Sequence, residues 1–487
     1  MKRLTRRFYI YAVAITLVSL AVLTVAARLL AGNPVLEIPP PNTVIVSKSG
    51  GGQFKKVSDA IASVKPYMTI LVRPGVYRER ITIDRPVEII GDSQGANQET
   101  IIENTGEACI QVRSGKVAVR NLTLRSLPGL TGFISKFLRQ RNLKGEPCVD
   151  VARGDLLIED CDITSEAVAG IGVQGAGNKA VVRRCKIHSG NSNGIWFVDH
   201  AEGSVEDCEI FGTAWAGVRA EAGARPDIRR CKIHDVTSCG VVAADDARVT
   251  IDDTEIYGNS KSGVEIRDGS SAAIRNCKIH DQGEYAVWFH RYASGTVEDT
   301  EMFANHCVAL QIMEDSNPVV SRCNIFRNFA TDVEINKGAD PIIKDCKIHD
   351  GPGSGIFIYD NGEGTIEDCE VFGHEKYQGV VIRGGSRPVL RRCRIHDELV
   401  GGVLALGDAE GTLDECSIYD NGFSGIWVKQ SARPLIRKCK ITGNSTYAVQ
   451  VHESASPNVE DCDLTANRQG AWDVQTQCEV RKARNKE

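Results

Sequence analysis

The chain has 487 residues, with 58 Lys and Arg against 63 Asp and Glu, a formal charge of −5 and a pI near 6.1. At 42% hydrophobic and 25% charged residues it has the composition of a folded protein, which excludes a disordered or collagen-like chain. The mildly negative balance excludes the concentrated basic face that nucleic-acid binding needs, so no nucleic-acid partner is expected.

The first segment, 1–30, opens with Lys2, Arg3, Arg6 and Arg7 and continues as twenty uncharged residues from Phe8 to Ala27. At about 1.5 Å per residue such a run reaches about 30 Å, enough to cross a bilayer. The basic flank favours keeping that end in the cytoplasm and exporting the remainder. Residues 8–27 therefore read as a membrane anchor, with a signal segment cleaved at Val25-Ala26-Ala27 as the alternative. Either reading places the body outside the cytoplasm, as a single-pass membrane protein or as a secreted one. Residues 31–43 hold four prolines and read as a stiff spacer.

Beyond the spacer, Thr43–Val46, Thr69–Val72 and Ile81–Ile83 are predicted strands, the last two around a Pro74-Gly75 turn. Phe54–Val64 is a predicted helix with Val57, Ala60, Ile61 and Val64 on one face, suited to cap an open sheet end. The stretch 126–147 reads as an insertion containing GFISKFLRQRNLKG. It fits a short amphipathic helix on the flank, with a lid or a membrane-surface contact as the alternative.

From 44 to 474 the chain repeats. Cys161, Cys185, Cys208, Cys231, Cys277, Cys323, Cys346, Cys369, Cys393, Cys416, Cys439 and Cys462, with Thr254 and Thr300 in the gaps, recur every 23 or 24 residues. Each unit reads C-x-I-x, a polar turn, G-I/V-x-V, a second turn, then a V/I segment leading back to Cys. A fixed period of short alternating segments is a solenoid rather than a string of domains. The expected fold is all-β, a three-sheet parallel β-helix, followed by a charged tail at 475–487 that frays.

Columns of side chains support stacking at about 4.8 Å per coil. After each Cys the charge alternates: Asp162, Lys186, Glu209, Lys232, Glu255, Lys278, Glu301, then the neutral Asn324 before Lys347 and Glu370. Opposite charges on adjacent strands attract, so this order makes sense when residues one period apart are neighbours. Cys shares a face with the Ile two residues on and is expected as a buried free thiol. His188, His234, His280, His349 and His396 alternate mostly with Phe and Tyr, which fits a ladder of stacked rings better than a metal site. No metal and no cofactor are expected.

The segment GGGQFKKVSDAIASVKPYMTILVRPGVYRERITIDRPVEIIGD, with its Gly75-Val76-Tyr77-Arg78-Glu79, resembles the opening of the pectin-lyase-like superfamily, and is most similar to the pectinesterase-like entry. The coils resemble the carbohydrate-binding and sugar-hydrolase repeats of NosD-like and F-box β-helix proteins, with Cys where those repeats usually carry Asn. The resemblance covers about residues 44–474 and implies a right-handed, three-sheet helix. The catalytic signatures of the polygalacturonases, pectate lyases and pectinesterases are not found in this sequence, and Trp196-Phe197-Val198-Asp199-His200 matches a lyase Trp-Ile-Asp-His only with an extra residue.

In the G-I/V-x-V strand the aliphatics point inward and their neighbours outward. The outward set includes Trp196, Glu265, Trp288, Glu334, Phe357 and Trp427 in one column, and Arg267, Tyr359, Arg383 and Lys429 in the next. Rings among charged and amide groups suit a sugar polymer, so these ten residues are the expected substrate-binding set. Asp245 and Asp268, in adjacent coils beside His290, Arg291 and Glu314, are the best catalytic candidates, since hydrolysis needs carboxylates within roughly 5–9.5 Å. The expected function is binding of a polysaccharide, with processing by a lyase or glycosidase reaction left open. A non-catalytic scaffold or adhesion module with a protein ligand is the alternative.

Overall fold

Each coil places three short strands on three faces, and the coil starting at Cys231 shows why. Lys232–His234 follows the cysteine, Val241–Ala243 follows a glycine, and Arg248–Asp252 leads back toward the next coil. A computed structural model describes residues 42–92, 99–128 and 145–487. The anchor or signal at 8–27, nearly all of the spacer and most of the 126–147 insertion lie outside the described residues. Among the described residues no helix is long and apolar enough to cross a membrane.

The coil at Thr254 repeats the pattern one level on, pairing Lys232 with Glu255, Val242 with Glu265 and Thr250 with Ala273, all in parallel. Among the described residues the three faces become a cysteine sheet of 16 strands, a platform sheet of 17 and a return sheet of 19. Ile233, Val241, Ala243 and Ile251 point inward and are fully buried, as are their equivalents in the neighbouring coils. Burying each valine or isoleucine of this set contributes about 1.5–3 kcal/mol, and Ala243 less. Stacking this tight constrains the backbone ahead of the platform strand. A Cβ on Gly240 would lie 2.7 Å from the Ile256 methyl and 2.8 Å from the Gly263 carbonyl oxygen, which is why glycine recurs there.

The expected columns are present. Lys186 meets Glu209 at 3.4 Å, Lys232 meets Glu255 at 3.4 Å and Lys278 meets Glu301 at 3.5 Å. Lys232 pairs forward with Glu255, while the second oxygen of Glu209 faces His234 at 3.5 Å. The column cysteines are buried and free, and the Cys231 thiol donates to the carbonyl oxygens of Arg229 and Val205. The ring ladder runs unbroken from His188 to Tyr419, with centroids 4.6–5.3 Å apart and planes within 16°.

The N-terminal entry differs in detail from the expectation. The helix spans Val57–Ser63 rather than 54–64, because Phe54 forms a bridge with Val46 on the first strand. Its start is capped from a distance: the Glu79 carboxylate accepts hydrogen bonds from the backbone N–H of Val57 and Ser58, at 2.9 Å each. Tyr77 is buried and donates to the Arg73 carbonyl at 2.9 Å, so the Gly-x-Tyr-x-Glu element is a strand, Gly75–Arg78, that locks helix to sheet. Pro74-Gly75 therefore leads into a strand of the cysteine sheet rather than turning directly to Ile81–Ile83. At the other end, Arg481–Ala483 pairs with Asn458–Glu460 and Lys486 with Asp463. The segment expected to fray thus carries the coil pattern further.

Candidate functional site

The outward face of the platform sheet carries the first column in perfect register: Trp196, Arg219, Val242, Glu265, Trp288, Gln311, Glu334, Phe357, Val381, Leu404, Trp427 and Gln450. Parallel strands about 4.8 Å apart place Trp196 about 19 Å from Trp288, with Phe357 and Trp427 each about 14 Å further on. Each ring is half-buried by its neighbours. The second column, with Arg267, His290, Asn336, Tyr359, Arg383 and Lys429, follows two residues later in each coil.

Around Trp288 the two columns interlock. Its ring stacks on His290 with centroids 3.9 Å apart and planes within 12°, and its Nε1 donates to the Met313 sulfur at 3.4 Å. His290 lies between two carboxylates, 3.3 Å from Glu265 at Nε2 and 3.9 Å from Glu314 at Nδ1. Burial pushes the Glu265 carboxyl up, but hydrogen bonds from His290 and Cys239 and the charge of Arg267 outweigh it, leaving the group below its ordinary range.

The proposed catalytic group sits where the platform strand ends. Asp245, Asp268, Arg291 and Glu314 occupy equivalent left-handed turn positions in successive coils, with φ of 53–55°. Asp and Asn tolerate that conformation best, which explains the acidic bias of this edge. The structure brings four of the five residues into one ionic network. Asp268 is held by Arg267 at 2.5 Å and Arg291 at 3.2 Å on separate oxygens, and Glu314 by Lys337 at 3.2 Å. Asp245 lies exposed one coil away and takes no part in the contacts of that network.

The other binding candidates form two further groups. Phe357 and Tyr359 stack at 4.6 Å, the Arg383 guanidinium lies over both rings, and Tyr359 donates to Glu334 at 3.3 Å. Lys429 lies 4.3 Å above the Trp427 ring, whose buried Nε1 has no acceptor among the described residues. Trp196 stands apart upstream, donating to Glu221 at 2.9 Å. Among the described residues no group of three or more metal-ligating side chains converges.

One cluster was not foreseen. Five residues past each cysteine position, an inward ladder of Asn259, Gln282, Asn305 and Asn328 gives way to Gly351, His374 and Glu398 before Asn421 and Asn444 resume. In the Cys323 coil, Asp332 replaces the usual glycine and fills the space that Gly351 leaves. His374 joins Asp332 and Glu398 at 3.0 Å each, and all three are at most 1% exposed. Burial alone would lower His374, but the two carboxylates raise it to about 9. The signal was available: the +5 column, aligned on cysteine, breaks at these positions.

A family model described as a right-handed β-helix region matches residues 98–253, 239–378 and 331–486. Solved structures with a similar course include the periplasmic alginate epimerase AlgG, 13% identical over 89% of this chain and 81% of that one, with a TM-score of 0.30. Pectin methylesterase from carrot is 15% identical over 49% of this chain and 83% of that one, at 0.32. The pre-mature bacteriophage phi29 gene product 12 is 12% identical over 88% of this chain and 70% of that one, at 0.47. The matched segments together span well over half of the chain and make it a member of the right-handed β-helix family.

Proposed function

We propose that this protein binds a polysaccharide along the outward face of the platform sheet. The observation that carries the reading is the column in which Trp196, Trp288, Phe357 and Trp427 recur among amides and charges, each ring placed with a polar partner beside it. Such faces stack on the apolar sides of sugar rings while the charged and amide groups bond hydroxyls. Affinity electrophoresis of the protein through gels holding neutral, acidic or amino glycans tests this. Retention in at least one gel, weakened by Trp288→Ala, supports the reading. Free migration in every gel sinks it.

Export belongs to the same proposal, with residues 8–27 as anchor and the body outside the cytoplasm. Recovery of the protein in a cytosolic fraction would count against it. Processing of the polymer is carried by Asp268, Arg291, His290 and Glu314, with Asp245 as the second carboxylate. A product screen in which Asp268→Asn turns over as fast as wild type removes that group from consideration. A protein partner is favoured by one feature, the exposed Phe329, Tyr377 and Leu399, 59–68% accessible, on loops bordering the platform. Loss of partner capture in a Tyr377→Ser variant, with glycan retention unchanged, would identify that surface.

A further inference from the structure

Three acidic side chains around the platform face have a cation at hand, whereas Asp150, further up the same column, is met by the amides of Gln111 and Gln174. Glu221 has Arg219 at 2.5 Å, Glu265 has Arg267 at 3.2 Å, and Glu314 has Lys337 at 3.2 Å. Glu334 departs from this pattern. Among the described residues no cation lies within ion-pair distance of it, and Tyr359 donates to it at 3.3 Å. It is nevertheless half-buried, and burial pushes its carboxyl above the ordinary range. Tyr359 is raised to about 12, by burial first and by the Glu334 charge second. An unpaired carboxylate in such a place is costly to keep unless something is meant to meet it.

The surroundings indicate what that is. Phe357 and Tyr359 present ring faces beside Glu334, and the protein's own guanidinium, Arg383, already rests on them at 4.9 and 5.5 Å from the centroids. Arg383 is exposed and, among the described residues, no carboxylate lies within ion-pair distance of it, so it is held by the π faces and by the longer-range attraction of Glu334, both modest. The turn edge alongside adds Asp268, Glu314, Asp315 and Asp360 against Arg291 and Lys337. Asn336, one coil before Tyr359 in the same column, is 1% exposed and its Nδ2 lacks an acceptor. Rings, an unpaired acid, an acidic border and a spare amide donor together describe a seat for a group that is cationic and carries oxygen acceptors.

We infer that the segment from Trp288 to Arg383 takes an amino sugar, whose protonated amine pairs with Glu334 against Phe357 and Tyr359 while Arg383 moves aside. The hydroxyl and ring oxygens supply the acceptor that Asn336 lacks. An anionic polymer meets the acidic border instead, and an N-acetylated sugar has no charge for Glu334 to meet. This inference rests on the polysaccharide reading above and narrows it to unacetylated amino glycans.

Isothermal titration with deacetylated chito-oligosaccharides, their fully N-acetylated counterparts and polygalacturonate of similar length tests it. The deacetylated oligomer should bind about tenfold tighter than the acetylated one, in line with a cation over rings beside a carboxylate. Glu334→Gln, whose fold is checked by circular dichroism, should bring that ratio close to one by weakening the deacetylated oligomer more than the acetylated one. Trp288→Ala should weaken both. Equal or tighter binding of the acetylated or acidic oligomer, or an unaltered ratio in Glu334→Gln, overturns the amino-sugar inference while a Trp288→Ala effect keeps the platform. Binding of no oligomer by wild type overturns the amino-sugar inference, and free migration in every glycan gel as well overturns the platform with it.

Discussion

Replacing His374 by leucine removes the cation from a place that keeps two carboxylates out of water. Asp332 and Glu398 are at most 1% exposed, and the histidine bonds each at 3.0 Å. Breaking a buried ionic cluster by deleting one partner costs about 3–5 kcal/mol, because the surviving charges stay unpaired. The wild type itself should respond to pH. His374 is raised from 6.5 to about 9, so its contribution is fully present below pH 6.5 and is lost as pH rises through 9. At about 1.4 kcal/mol per unit the shift amounts to about 3 kcal/mol. Asp332 and Glu398 are raised by burial, so their ionisation opposes the folded state as pH climbs, with His349 near the one and His396 near the other moderating it. All three shifts have the same sign. Because coils of a solenoid open semi-independently, the assay is amide hydrogen exchange resolved by peptide and corrected for intrinsic rates. Protection around 328–332, 374 and 398 should fall between pH 6.5 and 9, and His374→Leu should abolish it locally, with His374→Gln intermediate. Unchanged protection in the variants, or protection that rises with pH, refutes the reasoning.

Three further outcomes follow from the stacking. Of 17 cysteines, all but the partly exposed Cys307 and Cys478 are buried and free, and burial pushes Cys277 up to about 12. A thiol reagent should therefore modify these two in the folded protein and all of them after denaturation; rapid modification of the column contradicts the buried assignment. Asn444→Ala strips the acceptor from the Asn421 backbone N–H at 3.2 Å and from its side-chain amide at 2.9 Å, and should cost about 1–3 kcal/mol in urea unfolding. A double-mutant cycle over the neutral changes Lys232→Met and Glu255→Gln should return a coupling of about 0.2–1 kcal/mol, because the pair is exposed. Strict additivity of the two changes would deny that contact.

What could be read from the chain depended on whether neighbours one coil apart declare themselves in sequence. Charge does: Lys232 and Glu255 carry opposite signs 23 residues apart, and alternation exposes the register. Ring shape does too, so the His188–Tyr419 ladder was visible. A second alternation, in the residue before each cysteine, went unread, although Arg230 reaches Asp207 at 2.8 Å across one coil. The Asp332–His374–Glu398 cluster was hidden for a different reason. His374 reaches Asp332 across 42 residues, skipping the coil of Gly351, so single-coil spacing does not reveal it. The platform columns were legible because inward and outward positions alternate strictly. Which outward acid lacked a counter-ion was not, because pairing depends on side-chain reach rather than on column order: Glu221 meets Arg219 two residues before it, Glu265 meets Arg267 two residues after it, and Glu334 meets rings.

The most direct test is a crystal structure of the protein soaked with whichever oligosaccharide it retains. The sugar rings should lie on the outer face of the platform sheet, with one against Trp288 and the chain continuing toward Phe357. An ordered oligosaccharide seated on the return or cysteine sheet, with the Trp288 and Phe357 rings bare, contradicts the account.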